Sequence, residues 1–280
     1  MKLGCSRCEA RLHKTLEAWY YVTNSSVALL KRVRLRMKYI ASCSCGKDSL
    51  AMILAILEHK YPLDYVLFFD AGKEFNSIYR NWDKLTKLLE RYGIKAVRLT
   101  PDRSFDYYFS EHEVKTRSGK PKKGYSWCGG VCRWMTTLKI DAINRFYRQF
   151  DKEVIVEYVG IASDERERIQ FDRNDRTIKV YPLIMLGMTE NDCLVKCYKS
   201  GFTWTEANGI DLYDVLDRVS CYCCSNKNMK ELRAIYRHLP EYWQKLKDMQ
   251  ARTKKKFKKD QSIGQLELKF EKEEIEREII

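Results

Sequence analysis

No apolar run in this 280-residue chain approaches the roughly 18 residues that a membrane-spanning helix needs. The first residues carry basic side chains but not the apolar stretch of a signal peptide. Leu3-Gly4-Cys5 has a faint likeness to a lipoprotein site, with no hydrophobic segment before it. A cytoplasmic protein with no membrane partner is therefore expected. No internal repeat is visible. In that compartment the eleven cysteines are poor candidates for structural disulfides, and metal, iron–sulfur or thiol chemistry is expected instead. Thiols are also missing from the end of the chain: none lies between Cys224 and Ile280.

Positive charge is abundant. Lys and Arg number 52 against 38 Asp and Glu, giving +14 and a pI near 9.2. That balance favours polyanionic partners such as nucleotides or nucleic acid, against the plainer reading of a basic, soluble surface. With 45% hydrophobic and 12% aromatic residues, the chain can bury a sizeable core. Residues 1–36 read as an N-terminal extension, with Leu12, Leu16, Trp19 and Tyr20 at helical spacing and a basic run after them. From Met37 strand-like and helix-like runs alternate: Tyr39–Cys43, Leu50–Leu57, Asp64–Phe69, Ser77–Tyr92, Lys95–Leu99 and Val154–Val159. That alternation predicts a parallel sheet with helices on both faces and ligands at the carboxyl ends of its strands. The polar, basic stretch 115–124 reads as a mobile loop. Residues 229–280 read as a C-terminal segment, with two helices parted at Pro240, a basic cluster around Phe257 and a mixed-charge tail.

The most informative stretch is Ser44-Cys45-Gly46-Lys47-Asp48-Ser49, between a predicted strand and a predicted helix. Small residues there let backbone N–H groups approach an anion, and the helix dipole favours negative charge at the same place. Ser44, Lys47 and Ser49 add donors. It is not a Walker A loop: Ala41 stands at that motif's first Gly, and Asp48 follows the Lys. The stretch resembles the S-G-G-K-D-S loop of the PP-loop superfamily, with Cys45 in place of its first Gly, where a Cβ narrows the backbone and crowds a phosphate.

Three further segments resemble the phosphoadenosine phosphosulfate (PAPS) reductase-like branch of that superfamily. Asp70-Ala71-Gly72-Lys73-Glu74-Phe75 resembles its D-T-G-x-E-F segment. Gly160 to Arg168 resembles its G-x-R-x-x-E-S-x-R region, with Ala162 where the first Arg often stands. Tyr181-Pro182-Leu183 and Thr189-Glu190-Asn191-Asp192 resemble a stretch that supports the site. The resemblance spans about Met37 to Trp243. It implies a Rossmann-like α/β fold of the adenine nucleotide alpha hydrolase-like kind, with a nucleotide-binding domain over residues 37–228. It also implies catalytic roles for Lys47, Asp48 and Ser49, and nucleotide contacts by Ser44, Gly46, Asp70, Gly72, Glu74, Arg166 and Arg168. The nucleotide is ATP, or PAPS or adenylyl sulfate, with Mg²⁺ beside the phosphates. The plain alternative is an ordinary strand–helix turn for the Ser44 and Asp70 segments, with Asp70 as a helix N-cap, and a solvated, charged helix start for Gly160 to Arg168.

Cys128-Gly129-Gly130-Val131-Cys132 and Cys221-Tyr222-Cys223-Cys224 supply two close pairs of thiols, Cys128 with Cys132 and Cys221 with Cys224. Four thiolates so grouped suit a tetrahedral Zn²⁺ or a [4Fe–4S] cluster. Relatives with a cluster built from two such groups make iron–sulfur the implied choice and Zn²⁺ the alternative; apolar packing is the metal-free reading. Cys43, Cys45, Cys193 and Cys197 read as packing residues, and Cys5 and Cys8 lack a second pair.

Together these features imply an ATP α–β-cleaving enzyme that adenylates an acceptor, releases pyrophosphate and serves sulfur transfer. Nucleic acid is the acceptor class the basic segments favour, and a sulfur donor such as a cysteine desulfurase is the implied partner. A sulfonucleotide reductase is the first alternative, although no tail thiol exists to attack its substrate. A non-catalytic nucleotide-sensing or nucleic-acid-binding module is the second.

Overall fold

The computed structural model describes residues 36–116, 119–128, 130, 132–169 and 177–278. The expectations for residues 1–35, with Cys5 and Cys8, lie outside the described residues. Two compact units interleave along the chain. One holds the described residues up to Phe69, Asn81–Leu99 and Ile143–Phe202. The other holds Asp70–Arg80, Thr100–Ala142 and the residues from Thr203 onward.

The first unit contains a five-stranded, wholly parallel sheet. Its strands are β1 (Met37–Cys43), β2 (Tyr65–Phe69), β3 (Lys95–Leu99), β6 (Val154–Tyr158) and β7 (Thr177–Val180). Their spatial order is β3-β2-β1-β6-β7, with Met37 opposite Val154 and Ile40 opposite Tyr65. The order reverses direction at β1, so the crevice beside its carboxyl end is the switch point where such sheets bind ligands. β1, β2 and β6 read as near-continuous apolar runs because both faces are covered. Successive strand residues face opposite ways. Leu67 packs with Phe146 and Phe150, whereas its neighbour Phe68 packs on Trp82, so each face of the sheet has its own helical cover. Helix α1 (Lys47–Glu58) is buried nearly all round: Leu50, Met52, Ile53 and Ile56 are fully enclosed. Each such side chain contributes about 1.5–3 kcal/mol by leaving water. This is the Rossmann-like α/β arrangement expected.

The strand predicted to start at Asp64 starts at Tyr65. Asp64 instead turns its carboxylate to the Tyr39 N–H (2.9 Å) and its own N–H to the Tyr39 carbonyl (2.8 Å). β7 has no counterpart among the predicted strands; four residues give periodicity too little to work on.

In the second unit, the described part of stretch 115–124 is not a loop throughout. It belongs to an antiparallel hairpin, β4 (Glu113–Lys115) with β5 (Pro121–Lys123), that pairs Glu113 opposite Lys123. Opposite charges across strands favour such pairing, and Gly119 supplies the left-handed backbone (φ +76°) after Thr116. Helices α3 (Phe105–Ser110) and α4 (Arg133–Tyr147) flank the hairpin in the chain. The two helices parted at Pro240 are present as α8 (Met229–His238) and α9 (Pro240–Ala251), after the short α5 (Pro182–Met185), α6 (Glu190–Lys199) and α7 (Leu212–Val215). The mixed-charge tail forms α10 (Ile263–Glu278). Phe270 packs on Trp243 and Tyr236, and Glu273 accepts two hydrogen bonds from Arg233 (2.9 and 2.6 Å).

Helix α2 (Asn76–Arg91) opens within this unit, and its first N–H groups are met by side chains distant in sequence. Asn76 N–H donates to the Tyr242 hydroxyl (2.8 Å) and Ser77 N–H to Glu206 (2.9 Å); Tyr242 O–H in turn donates to Glu206 (2.6 Å). Glu206 is 6% exposed. Removing its carboxylate strands a helix N–H and a hydroxyl in the interior, which costs about 1–3 kcal/mol per group. Glu206→Ala should therefore lower stability by more than about 2 kcal/mol and Tyr242→Phe by about 1 kcal/mol, measured by urea unfolding. Equal midpoints for Glu206→Ala and wild type would refute this capping role.

Candidate functional site

In the first unit the loop after β1 folds back on itself. Ser44 N–H and Ser44 Oγ both lie 3.2 Å from Ser49 Oγ, and Ser49 O–H donates to the Gly46 carbonyl (3.1 Å). Ser49 is 8% exposed, so its hydroxyl shapes the loop from beneath. Gly46 is the N-cap of α1 and has no side chain with which to cap that helix start. An uncapped N-terminus at the sheet's switch point is an anion site in waiting.

Cys45 occupies the left-handed region (φ +57°), which explains why the family pattern has Gly there. The expectation that its side chain crowds a phosphate is corrected: Cys45 is fully buried, with its sulfur 3.7 Å from that of Cys43. The cost of the Cβ falls on the backbone. Gly160, two residues past β6, is needed for a different reason. A Cβ there would stand 3.0 Å from Ser49 Cα, 3.1 Å from Ser49 N and 3.2 Å from the Asp48 carbonyl carbon.

Lys47 pairs with Asp48 (3.4 Å) and, more closely, with Glu190. Burial alone lowers the Lys47 pKa, but the two carboxylates outweigh it and hold the ammonium above its ordinary value. Burial pushes the Asp48 carboxyl up, with Glu190 adding to it against the pull of Lys47. The sequence suggests only a supporting role for Glu190. It lies at the start of α6, whose Thr189–Asp192 capping box sets it in place, and its N–H donates to Asp164 (3.1 Å). Arg168 and Arg166 lie exposed on a 3₁₀ turn over Ser163–Arg168, with Arg168 paired to Glu165. Ala162 is fully buried. Cys193 and Cys197 are also buried, as expected, and burial pushes the Cys193 thiol up to about 12.

The second unit gathers the remaining predicted residues. Asp70 accepts from Gly72 N–H (2.7 Å) and Tyr79 O–H (2.9 Å), closing the turn for which Gly72 supplies φ +74°. Glu74, expected at a nucleotide, accepts from the Cys221 thiol (3.2 Å). Tyr222 N–H donates to the Lys73 carbonyl (3.1 Å), and Ser225 O–H to the Cys128 carbonyl (2.5 Å). The Asp70–Phe75 loop and both cysteine pairs thus meet on one short segment, Cys221–Ser225. The spacing of the motifs gives no sign of this.

The Cys132 thiol bonds to Cys128 and holds it below the usual thiol range, helped by Trp134, Lys255 and Lys122 against burial. That same bond, with burial, pushes Cys132 up. Burial, then the Glu74 charge, pushes Cys221 up. Lys227 is 2% exposed, and the charges of Glu231, Cys224, Cys221 and Cys223 oppose the lowering of its pKa by burial. A buried ammonium beside three thiols fits a donor set that carries negative charge. Among the described residues, no three or more His, Cys, Asp or Glu side chains stand together ready to hold a metal, and the nine described cysteines form no disulfide. The four thiols are two braced pairs whose chemistry fits a metal centre, not a finished cage.

Two substitutions test the loop. Gly160→Ala should force the first turn of α1 outward, costing about 1–3 kcal/mol as overpacking does and weakening nucleotide binding in calorimetric titration. Cys45→Gly exchanges left-handed strain of about 1–2 kcal/mol for a similar loss of burial, so its melting temperature should stay close to wild type. Cys45→Val should melt well below both, because a β-branched residue resists positive φ. A Cys45→Val melt equal to that of Cys45→Gly would show the strain argument to be wrong.

The phosphoadenosine phosphosulfate reductase domain family matches residues 38–193. Two uncharacterized proteins of Methanocaldococcus jannaschii are each 24% identical to the chain. One matches over 218 residues, 76% of this chain and 41% of its own length; the other over 215 residues, 72% and 46%. The chain spans less than half the length of these curated relatives. The solved U34-tRNA thiolase NcsA from Methanococcus maripaludis with its [4Fe-4S] cluster aligns with 94% of this chain and 80% of that one, at 13% identity and a TM-score of 0.40, too loose a likeness to carry an argument. The family match covers more than half of the sequence, from the second residue of β1 into α6, and includes the whole loop and sheet just described: the chain belongs to the phosphoadenosine phosphosulfate reductase domain family.

Proposed function

We propose that this protein binds ATP at the Ser44–Ser49 loop, cleaves it between the α and β phosphates and adenylates an acceptor oxygen in the service of sulfur transfer. The uncapped start of α1 at the sheet's switch point, with Lys47 beside it, is the observation that carries this reading. The acceptor oxygen attacks the α-phosphorus, the bond to the β-phosphate oxygen breaks, and pyrophosphate leaves. A sulfur nucleophile then displaces AMP, so that a carbon–sulfur bond replaces the carbon–oxygen bond. The protein's task in the first step is positioning and charge stabilisation. The N–H groups of the first turn of α1 and the Lys47 ammonium face the developing charge, and an incoming phosphate competes with Glu190 for that ammonium. Asp48 is the carboxylate beside Lys47 suited to Mg²⁺. Arg166 and Arg168 supply exposed guanidinium groups for oxyanions. Cys128, Cys132, Cys221 and Cys224 would hold a [4Fe–4S] cluster, with Zn²⁺ as the alternative; such a centre supplies a site for sulfur.

The sulfonucleotide reductase reading has the family's name in its favour. Against it stands Ala162, fully buried at the position where the resembling pattern often has an arginine. Lys47→Ala should reduce ATP affinity about tenfold or more, the worth of a charge-assisted hydrogen bond, and Asp48→Ala should lower pyrophosphate release, both without loss of fold. Calorimetry with ATP and with PAPS, and pyrophosphate release with and without RNA, check these outcomes. Unchanged affinity for both nucleotides in Lys47→Ala would sink the loop assignment. ATP binding without pyrophosphate under any acceptor would favour the sensing module.

Protein purified without air should carry iron, and each Cys→Ser change at Cys128, Cys132, Cys221 or Cys224 should remove most of it and lower the melting temperature, because metal binding and folding are coupled. Cys223→Ser should retain the metal. Metal analysis and visible absorption decide this, and wild-type protein with neither iron nor zinc would return the four thiols to a packing role.

A further inference from the structure

A cavity of about 860 Å³ lies within the second unit, walled by Tyr108, His112, Tyr125 and Trp134, with Arg133, Lys255 and Cys128 also on its lining. Its volume is in the range of small-ligand sites. Its aromatic rings form an ordered array. Tyr125 and Trp134 stack with centroids 5.4 Å apart and planes 5° from parallel; His112 stacks on Tyr125 at 5.3 Å, and Tyr108 lies 5.1 Å from His112.

The wall is built, not incidental. Gly124 N–H donates to the His112 carbonyl (2.7 Å), Tyr125 N–H to the Tyr108 carbonyl (2.9 Å) and Ser126 N–H to the Phe109 carbonyl (2.9 Å). A Cβ at Gly124 would stand 2.1 Å from the Phe109 carbonyl oxygen, so only glycine allows this approach. Trp127 bonds to Gln250 (3.2 Å) and packs edge-on against Phe257 (4.8 Å), which anchors the segment bearing Lys255. The sequence marks that segment only as a basic cluster.

Half-buried stacked rings in a cavity offer a flat, sequence-tolerant platform, and cations on the lining add attraction for phosphate. That pairing is how proteins hold unstacked bases of single strands. Two cations, Arg133 and Lys255, and one carboxylate, Asp141, stand on the lining, and Arg133, Lys255 and the hairpin's Lys115, Lys120, Lys122 and Lys123 are exposed. A purely apolar ligand would have no use for these cations, and a duplex keeps its bases stacked on each other.

We infer that this cavity receives an unpaired nucleobase of a single-stranded RNA, stacked on the Tyr125–Trp134 array with its flanking phosphates on Arg133 and Lys255, and so brings that base beside Cys128. The inference deepens the sulfur-transfer reading by naming the acceptor as a base; it rests on that reading for what happens to the base, and on the cavity alone for its binding.

The test is fluorescence anisotropy of a labelled 12-nucleotide single-stranded RNA titrated with the intact protein. Trp134→Ala should weaken binding by about fivefold to a hundredfold, the range for one base stack, while Trp134→Phe should stay within about threefold of wild type. Arg133→Gln and Lys255→Gln sit on the surface; each should weaken binding and reduce the salt slope by about one. Equal affinity of Trp134→Ala and wild type, equal binding of a duplex of the same length, or competition by UMP or AMP at the oligonucleotide's own concentration would each overturn the inference. Pyrophosphate release is measured on the same samples. ATP turnover without RNA binding removes this inference alone, and Trp134-dependent RNA binding without ATP turnover removes the adenylation reading alone.

Discussion

The approach of the Gly160 backbone to the first turn of α1 is the constraint on which the first unit's site depends. β1 and β6 are parallel neighbours, so their carboxyl ends emerge together. A strand spacing near 4.8 Å leaves little room between the two loops that leave them. The chain after β1 must turn within three residues into a helix, and the chain after β6 must pass beneath that helix start. A Cβ at Gly160 would press to 3.0–3.2 Å against that backbone, tighter than ordinary contact. The tight turn in turn demands a left-handed residue, and Cys45 takes that position with its sulfur directed into the core. Ser49 then locks the turn from below. The start of α1 is left without a capping side chain at its N-cap as a result of this packing, not by an independent choice of residues.

The second unit depends in the same way on one short segment. Cys221–Ser225 reaches the Asp70–Phe75 loop through Tyr222 and Cys221, and the first cysteine pair through Ser225. Lys258 donates to the Ser225 carbonyl (2.6 Å), which ties that segment to the chain bearing the basic cluster. Lys227 is enclosed among these groups, its ammonium bonded to the Arg218 carbonyl and Ser220 hydroxyl (3.3 Å each) and facing Phe75. Its compensation is two neutral acceptors, a ring face and the buried Glu231 carboxylate, whose charge is the largest opposing the effect of burial. A thiolate-bearing centre at Cys221 and Cys224 would add further negative charge beside that of Glu231.

Much of this is legible in the sequence, for identifiable reasons. The strands β1, β2 and β6 announce themselves because burial on both faces makes them near-continuous apolar runs, whereas β3 shows only as Ala96, Val97 and Leu99 set among exposed Lys95 and Arg98. The α1 loop is legible because its function needs small residues and a lysine at fixed spacing. Ser49 reads as catalytic in the sequence, yet its hydroxyl is spent on the loop. Glu190 escapes notice because a carboxylate at a helix start looks like a dipole partner; its pairing with a lysine 143 positions away in the chain leaves no local trace. Resemblance assigns Glu74 to the nucleotide, and only the fold brings it to Cys221. The hairpin is hidden because lysines dominate its short strands, and the aromatic array because its members come from three separate stretches of chain.

Charge compensation bears most directly on the choice between nucleotide chemistries. Lys47 already has a partner in Glu190, held in place by a capping box and by Asp164. A ligand that takes Lys47 must offer more negative charge than one carboxylate, and a triphosphate does. A sulfonucleotide offers a phosphosulfate as well, but the position from which the family's arginine would meet its sulfate carries Ala162, sealed from solvent. Replacing that alanine in place would bury a guanidinium, which costs several kcal/mol without a partner. On the proposed reading the polyanion lies with its phosphates close to the start of α1, where the Lys47 ammonium meets the charge of the leaving group.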